Sequence, residues 1–516
     1  MIAQTVTGER VMDKRTNVQS LAFADARAFV IDTVVVAITQ MLLKLRALVT
    51  LPLIVKLLGT EQYGIWAQTL VLIGFLGIAF SVNLHLPLVR FIAADRTQSR
   101  RVYGTLASAT LASALGGGFL IYLFADTWGR LLLSGENLAP YVRVSVFLML
   151  FGNLRLLNLN VYRATDRLKL RSVVELVTTS GELVGIYLLL WHGYGLLQVF
   201  LFMAVWEGAV VILLTCHIVT VIGWGMPEWR ILVDALRYAL PIIPTAFSQW
   251  ILDRSDRFVI GYYLGAAAIG IYSANYALAS LLMLFQTPFQ MTLLSKVAAL
   301  WDSNREGVRK YISLANKAFL TLAIPFVFGM PVLARGFLAR FGNAEIATAS
   351  GTITFLIALG VLFWGVSIMQ IQIFYGAKRT GYVGSVTIIA ALVNLVLNLL
   401  LVPSFGMSGA ALATLISYAG LCLVYVWRSH NIMKLDFYGK YLLKCCIAAL
   451  MMAIVLHWLS PSHTATLFEA GLVGGIVYFS VLLGLRAFAP SELELMCSFL
   501  RAPFWISKWK ITDEQS

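Results

Sequence analysis

Long apolar segments recur along the whole chain, and they constrain its fold more than any other feature of the sequence. Stretches such as VLIGFLGIAF at 71–80 and VTIIAALVNLVLNLLLV at 386–402 are apolar on every side. A membrane helix needs about 20 such residues to cross the hydrocarbon core, whereas a strand of a membrane barrel alternates apolar and polar residues. Because 59% of the 516 residues are hydrophobic and only 12% are charged, we predict an all-α integral membrane protein.

The apolar segments predict about 14 transmembrane helices. Their starts fall near residues 29, 64, 104, 144, 173, 196, 238, 267, 313, 351, 382, 409, 441 and 465. The loops between them are short, so we expect no inserted soluble domain. The histidines show no spacing typical of a metal site, and no glycine loop typical of ATP binding is present. We therefore expect no catalytic residue, no metal and no bound cofactor.

The basic residues are distributed unequally between the two sides of the predicted membrane. The net charge is +14, and alternate loops hold about 28 Lys and Arg on one side and about 5 on the other, which by the positive-inside rule places both termini in the cytoplasm. An even number of spans follows. The basic charge is then mainly a signal for topology, with attraction to anionic membrane lipids as a secondary role. A nucleic-acid partner is not expected.

One motif occurs twice. LGTEQYGIW at 58–66 and LGAAAIGIY at 264–272 share Leu-Gly, Gly-Ile and a final aromatic residue. The copies lie six predicted spans apart, so both halves start on the same side of the membrane, as in a parallel repeat. We predict two six-helix bundles related by a pseudo-two-fold axis and followed by two further helices. The alternative, that two glycine turns are similar by convergence, stays open.

The predicted domain boundaries follow from this repeat. They are 1–27 for an N-terminal cytoplasmic tail, 28–222 for the first bundle, 223–430 for the second bundle, 431–487 for two additional helices and 488–516 for a C-terminal cytoplasmic tail. Two halves of this kind enclose a central cavity that can open to either side in turn. A monomer is sufficient for such a device.

Several segments together resemble a known family. They are LGTEQYGIW, WILDRSDRFVIGYYLG with IGIYSANYALAS, and LVNLVLNLLLVPSFGMSGAALATLISY. These segments are similar to those of polysaccharide-export flippases of the multidrug/oligosaccharidyl-lipid/polysaccharide (MOP) exporter superfamily, over residues from about 30 to 430. The likeness favours this branch over the sister flippases of lipid-linked peptidoglycan precursors.

The resemblance implies a flippase, not an enzyme, in the bacterial inner membrane. Its cargo would be an undecaprenyl-pyrophosphate-linked oligosaccharide for O-antigen or exopolysaccharide synthesis, moved to the periplasmic leaflet by alternating access. A polysaccharide polymerase and a chain-length regulator are the expected protein partners. Two alternatives stay open: an ion-coupled multidrug or metabolite exporter of the same superfamily, and a membrane polysaccharide polymerase or glycosyltransferase.

Charged residues inside the predicted spans are the candidates for a substrate site. The stretch LDRSDRF at 252–258 places four charges within an arc of about 160° on one helical face, and intramembrane charges usually face a bundle interior or a water-filled cavity. Cations there suit a pyrophosphate, because Arg offers it bidentate hydrogen bonds. The alternative is mutual neutralisation, for instance of Asp253 by Arg257. The candidates for the cavity are Lys44, Arg46, Arg155, Asp253, Arg254, Asp256 and Arg257.

Three acidic residues in the spans are candidates for coupling to H⁺ or Na⁺. Glu175 and Glu182 lie on one polar stripe of the fifth predicted span, and Glu207 lies in the sixth. A buried carboxylate can bind a proton or a cation. Two other interpretations stay open, that these residues are counter-ions of Arg155 and its neighbours or that they contact sugar hydroxyls.

Overall fold

A computed structural model describes residues 35, 38–132, 137–436, 438–459 and 464–488, and every regular element in these ranges is a helix. The predicted N-terminal tail, the start of the first predicted span and almost all of the C-terminal tail lie outside the described residues. The helices are α1 (38–44), α2 (Arg46–Leu58), α3 (Thr60–Ser81), α4 (His85–Ala94), α5 (Ser99–Leu123), α6 (Ala125–Leu132), α7 (Ala139–Ala164), α8 (Leu168–Trp191), α9 (Leu196–Ile222), α10 (Trp229–Ala239), α11 (Ile243–Arg254), α12 (Asp256–Ala279), α13 (Leu282–Leu300), α14 (Arg305–Phe341), α15 (Ala344–Thr348), α16 (Ser350–Gly376), α17 (Thr380–His430), α18 (Gly439–Leu459) and α19 (Thr464–Gly484).

Eleven helical segments among the described residues are long and apolar enough to cross a membrane. Two of them, Trp229–Ala279 and Thr380–His430, are 51 residues long, which at 1.5 Å per residue is about 75 Å and exceeds one bilayer crossing. Each contains a glycine with non-helical backbone angles, Gly265 in the first and Gly406 in the second. The predicted all-α membrane fold is confirmed, and the total of about 14 spans stays a prediction.

Most helices begin a few residues before the predicted starts. For example, α16 begins at Ser350 against a predicted 351, and α18 at Gly439 against 441. The helix α14 differs more, because it begins at Arg305 and not near 313. Its first turns carry Arg309 and Lys310. A prediction from apolar residues alone leaves out these charged residues, although they belong to the same helix.

The two copies of the repeated motif have the same backbone conformation. Gly59 has φ 95° and ψ 174°, and Gly265 has φ 81° and ψ −179°. Positive φ of this kind strongly favours glycine. Each glycine separates the helix that comes before it from the helix that follows, so both copies form a sharp turn between consecutive helical segments.

A second pair of turns also has matching geometry. The loop after α7 has Asp166 at φ 59°, and the loop after α16 has Lys378 at φ 57°. In the first, the amide of Arg167 donates to the carbonyl of Tyr162 over 2.8 Å; in the second, the amide of Arg379 donates to the carbonyl of Phe374, also over 2.8 Å. The two turns follow the same pattern of hydrogen bonds at corresponding places in the two halves.

Ring contacts beside these turns correspond as well. Tyr162 contacts His217 with centroids 5.8 Å apart at 47°, and Phe374 contacts Tyr425 with centroids 5.6 Å apart at 49°. The correspondence thus includes packing and is not limited to glycine turns. The exact boundaries of the two bundles stay a prediction.

The helices α3 and α12 form the main contact between the two halves. An apolar cluster there draws on both halves, with Leu51 and Phe200 from the first, and Ala274 and Leu338 from the second. The chain passes from the first half to the second through α10, which carries Trp229 at 75% exposure. A short 3-10 turn, Leu240–Ile242, then joins α10 to α11.

Candidate functional site

A cavity of about 580 Å³ lies between the two halves. The first half contributes α1, α2 and α3, and the second contributes α11, α12 and α13. We call it the central cavity. Its charged lining residues are Lys44, Arg46, Asp253, Arg254 and Arg257, and its aromatic lining residues are Tyr63, Trp66 and Tyr276.

The central cavity is closed at one end by a close helix contact. Gly64 of α3 and Gly270 of α12 meet there, and a Cβ atom built on Gly64 would lie only 1.8 Å from the carbonyl oxygen of Ala266. From this contact the lining residues continue along α3 to Gly74. At 1.5 Å per residue the cavity therefore extends about 15 Å along that helix.

Hydrogen bonds join the two halves at the same closed end. Asn343 donates through Nδ2 to Thr60 Oγ1 over 2.7 Å, and the Thr60 hydroxyl donates to Glu345 Oε2 over 2.6 Å. Thr60 belongs to the first copy of the repeated motif and is buried, with 5% exposure. The two other residues lie in and beside α15. We call this group the Thr60 latch.

Arg254 is the cation most available to a ligand. It lies midway between Ile243 and Leu264, so it is about 15 Å of helix from either end, near the middle of a bilayer crossing. Its side chain is exposed to the central cavity. Among the described residues it has no ion-pair partner within 4 Å.

Asp253 is held by residues of the second half. Its Oδ1 accepts a hydrogen bond from the Tyr418 hydroxyl over 2.7 Å and another from Gln249 Nε2 over 3.1 Å. Tyr418 lies on α17, 165 residues away in the chain. The carboxylate is therefore oriented by two neutral donors, and Arg257 does not neutralise it directly.

Arg257 and Asp256 form a buried ion pair. Arg257 NH1 lies 2.9 Å from Asp256 Oδ1, and the exposed fractions of the two side chains are 9% and 2%. The Tyr272 hydroxyl donates to Asp256 Oδ2 over 2.6 Å, and the Arg257 guanidinium lies over the Tyr276 ring at 4.4 Å. Asp256 is not among the residues that line the central cavity, so the four charges of LDRSDRF do not form one exposed wall.

The cations of the first half are fixed by contacts that the sequence does not reveal. Lys44 Nζ donates to Thr287 Oγ1 of α13 over 2.9 Å, a direct bond between the halves. Arg46 forms an ion pair with Glu182 of α8. Arg46 thus reaches the central cavity with its charge already balanced, whereas Lys44 has no carboxylate partner within 4 Å among the described residues.

Arg155 lies apart from the central cavity. Its Nε is 2.8 Å from Glu207 Oε2 of α9, and Arg155 is not a lining residue. Glu175 is also paired, since Arg171 Nε lies 3.2 Å away and Gln40 Nε2 donates to it over 3.1 Å. With Glu182 paired to Arg46, all three candidate coupling residues have an arginine partner.

Formal charges of the described residues at the cavity do not cancel. The four cations Lys44, Arg46, Arg254 and Arg257 are set against three carboxylates, Asp253, Asp256 and Glu182, so the sum is 4 − 3 = +1. An unbalanced charge in a membrane interior is costly unless water or an anionic ligand is present. The arrangement can therefore accommodate one anionic group in the cavity that Arg254 and Lys44 line.

The aromatic residues of the site were not predicted. Trp66 and Tyr272 are the final residues of the two motif copies, so the repeat could have identified them as candidate site residues. Trp66 lines the cavity, while Tyr272 holds Asp256. Tyr276 and Tyr418 carried no signal in an apolar sequence, because tyrosine is common in membrane helices.

Solved structures of other membrane proteins share this fold. A structure described as "Lipid II flippase MurJ, inward closed conformation" has a TM-score of 0.74 at 15% identity, over 88% of this chain and 99% of that chain. A structure described as the inward-facing conformation of a multidrug resistance MATE family transporter of the MOP superfamily has a TM-score of 0.57 at 14% identity, over 75% and 97%. The fold is that of a polytopic MOP-superfamily transporter.

The family follows from the sequence match. Residues 95–477 match the model of the family described as Lipid II flippase MurJ, which is well over half of the chain. The chain belongs to this family. The predicted membership of the MOP superfamily of flippases is confirmed.

Curated relatives carry related names. A protein named "Probable low-salt glycan biosynthesis flippase Agl15" from Haloferax volcanii is 23% identical over 48% of this chain and 54% of its own length. "Probable flippase AglR" from the same organism is 26% identical over 31% of this chain and 34% of its own length. The matched region thus spans about half or less of each relative.

Proposed function

We propose that this protein translocates a lipid-linked oligosaccharide across the membrane and that the anionic head group passes through the central cavity. The observation that carries the proposal is Arg254, a mid-membrane cation that is exposed to the cavity and lacks an ion-pair partner among the described residues. A guanidinium in this state can form bidentate hydrogen bonds with a phosphate.

The rest of the lining suits such a cargo. Lys44 adds a second cation without a carboxylate partner within 4 Å in the described part of the chain. Tyr63, Trp66 and Tyr276 provide aromatic surfaces with polar edges, on which the apolar faces of sugar rings can pack. A neutral drug would use the aromatic residues but would leave Arg254 without a counter-charge.

The family supports a lipid-linked cargo, since its description names lipid II, and the curated relative Agl15 is named for glycan biosynthesis. The finer proposal is an undecaprenyl-pyrophosphate-linked repeat unit of O-antigen or exopolysaccharide, delivered to a polymerase with its chain-length regulator. The proposed location is a bacterial inner membrane with both termini in the cytoplasm.

The proposed mechanism is alternating access of two bundles. In the proposed orientation, with both termini in the cytoplasm, the Gly64–Gly270 end faces the outside of the cell, and the described arrangement is then closed to the outside. Opening to the outside then requires separation of Gly64 from Gly270 and release of the Thr60 latch. For Glu175, Glu182 and Glu207 we favour the counter-ion role over ion coupling, because each has an arginine at ion-pair distance.

Transport of a fluorescent lipid-pyrophosphate oligosaccharide in reconstituted vesicles tests the proposal. We expect Arg254→Ala to abolish most of the flipping while the protein stays folded, since this side chain has no ion-pair partner among the described residues. Arg237→Ala is the matched control, because Arg237 is 78% exposed on α10, away from the central cavity. Equal flipping by the Arg254→Ala variant and the natural protein would contradict passage of the head group through this cavity.

A further inference from the structure

A second cavity lined by cations lies at one end of the second half. Its volume is about 610 Å³, and we call it the basic surface cavity. Arg305 comes from the start of α14, Lys378 and Arg379 from the turn between α16 and α17, and Arg428 from the last turn of α17. Three loops that are distant in sequence thus bring four cations to one place.

These cations lack counter-ions. All four side chains are exposed, and none has an ion-pair partner within 4 Å among the described residues. Asp302 is the single acidic lining residue, so the formal charge of the lining is 4 − 1 = +3. Elsewhere on the same face the pattern differs, since Arg309 is paired with both Glu306 and Asp436.

The corresponding place in the first half provides a comparison within the same molecule. A cavity of about 170 Å³ lies there and is lined by Arg96 and Arg167. The turn beside it matches the turn at Lys378, but Asp166 occupies the position of Lys378 and forms an ion pair with Arg96. The positive-inside rule explains basic loops in both halves. It does not explain why, among the described residues, the second half gathers four cations without an ion-pair partner, whereas Arg96 in the first half is paired with Asp166.

The exposed Trp427 indicates that the basic surface cavity lies at the level of lipid head groups, whereas Trp301 is buried. The Arg305 guanidinium lies 5.3 Å from the ring centroid of Trp301, and that of Arg428 lies 5.8 Å from the ring centroid of Trp427. Trp427 is 68% exposed at the end of a long apolar helix. Exposed tryptophans in such positions are typical of the boundary between hydrocarbon and water.

We propose that the basic surface cavity binds the phosphate of an anionic phospholipid. Arginine side chains that have no carboxylate partner can form bidentate, charge-assisted hydrogen bonds with a phosphodiester, and the acyl chains of that lipid would stay in the bilayer beside α17. This site is separate from the central cavity. The inference does not depend on the proposed transport function.

Native mass spectrometry of the full chain tests this site. The protein in detergent is titrated with phosphatidylglycerol or with phosphatidylcholine of the same acyl chains. We expect phosphatidylglycerol to bind preferentially, and the variant Lys378→Gln/Arg379→Gln/Arg428→Gln to bind it at least about tenfold more weakly, since it lacks three of the four cations that attract the anionic head group. The matched control is Arg96→Gln/Arg167→Gln in the first half, which should leave binding unchanged.

A charge-retaining variant, Lys378→Arg/Arg428→Lys, separates loss of charge from loss of folding and should keep the preference. Displacement of phosphatidylglycerol by millimolar inorganic phosphate would show that the site accepts free phosphate too, and its absence would assign the site to lipid alone. Equal binding by the triple variant and the natural protein would overturn the proposal. An equal loss in the first-half control would overturn it as well.

Discussion

Gly64 and Gly270 occupy the same position in the two copies of the repeated motif, and they pack against each other across the boundary between the halves. A Cβ atom on Gly64 would lie 1.8 Å from the carbonyl oxygen of Ala266, and one on Gly270 would lie 2.4 Å from the carbonyl oxygen of Thr60. Thr60 and Ala266 are themselves equivalent positions. The contact therefore has approximate two-fold symmetry, and neither glycine can gain a side chain without moving a backbone.

The first prediction concerns this contact. Gly64→Ala should hold the halves apart at the closed end, because the added methyl group meets backbone atoms that cannot turn aside. Spin labels can be attached at two exposed positions, Glu61 in the first half and Tyr262 in the second. Pulsed electron paramagnetic resonance should then report a longer mean distance between them. The native cysteines would be replaced beforehand.

Gly77→Ala is the control on the same helix. A Cβ atom there would meet only Asn153 Oδ1 at 3.6 Å, an ordinary contact. Its distance distribution should match that of the natural protein. An unchanged distribution for Gly64→Ala would contradict the role of this contact in closing the halves.

The second prediction concerns the Thr60 latch. Thr60→Val removes a hydroxyl that accepts from Asn343 and donates to Glu345, and it preserves the shape of the side chain. We expect a loss of about 0.5–1.5 kcal/mol for each hydrogen bond removed, because Glu345 is exposed and water can replace the lost hydroxyl. Thermal unfolding in detergent measures this loss, and the same spin-label pair should report a larger open population. If Thr348→Val, which removes a hydroxyl on α15 that bonds only to a local carbonyl, had the same effect, the latch would have no special role.

The third prediction separates two neighbouring arginines. Arg257→Ala should destabilise the protein by about 3–5 kcal/mol, because it leaves the buried carboxylate of Asp256 without its partner. Arg254→Ala should change stability by less than about 1 kcal/mol, since Arg254 has no ion-pair partner among the described residues. Thermal unfolding of the two single variants checks the difference. A large loss for both would mean that Arg254 also serves the fold.

The same measurement on Asp256→Asn/Arg257→Gln gives a further check. This double variant removes both charges and keeps hydrogen-bonding groups in place, so it should be more stable than Arg257→Ala. The opposite order would contradict the interpretation of this pair as a charge balance.

The fourth prediction concerns the glutamates. If Glu207 balances the charge of Arg155, the single variants Glu207→Gln and Arg155→Gln should each lose stability, and the double variant should recover part of it, with a coupling energy of about 0.5–3 kcal/mol. The pH dependence of transport by Glu207→Gln should match that of the natural protein. If the stability losses of the two single variants simply add in the double variant, and if Glu207→Gln alters the pH dependence of transport, ion coupling would be favoured instead.

The sequence predicted the fold class well because apolar periodicity reports directly on membrane burial. The repeated motif also predicted two glycine turns that proved to have the same backbone angles, at Gly59 and Gly265. The segment starts were displaced where a helix continues past its apolar part, as at Arg305. Hydropathy measures contact with lipid, and it cannot detect a helix that extends into the aqueous phase.

The sequence indicated which charged residues were candidates for the site, but it did not indicate which residues they pair with. Lys44, Arg46 and Arg254 line one cavity, and their role in binding a head group stays a prediction. The partner of Arg46 lies 136 residues away at Glu182, and that of Arg155 lies on a different helix at Glu207. Such pairs depend on helix packing, which a single sequence does not specify. Asp256 is also separated from the cavity, because it lies at the opposite edge of the charged arc from Arg254, about 160° around the helix.

The charge imbalance around the central cavity has an electrical consequence. The empty site carries +1, and a cargo with two negative charges changes this to 1 − 2 = −1. A membrane voltage therefore acts on the empty and the loaded carrier with opposite sign, at about 2.3 kcal/mol per charge for each 100 mV if the charge traverses the whole field. Because the loaded and the empty carrier move in opposite directions, an inside-negative voltage would assist both halves of an export cycle, so the direction of net flux would depend on the cell's polarisation as well as on its supply of cargo.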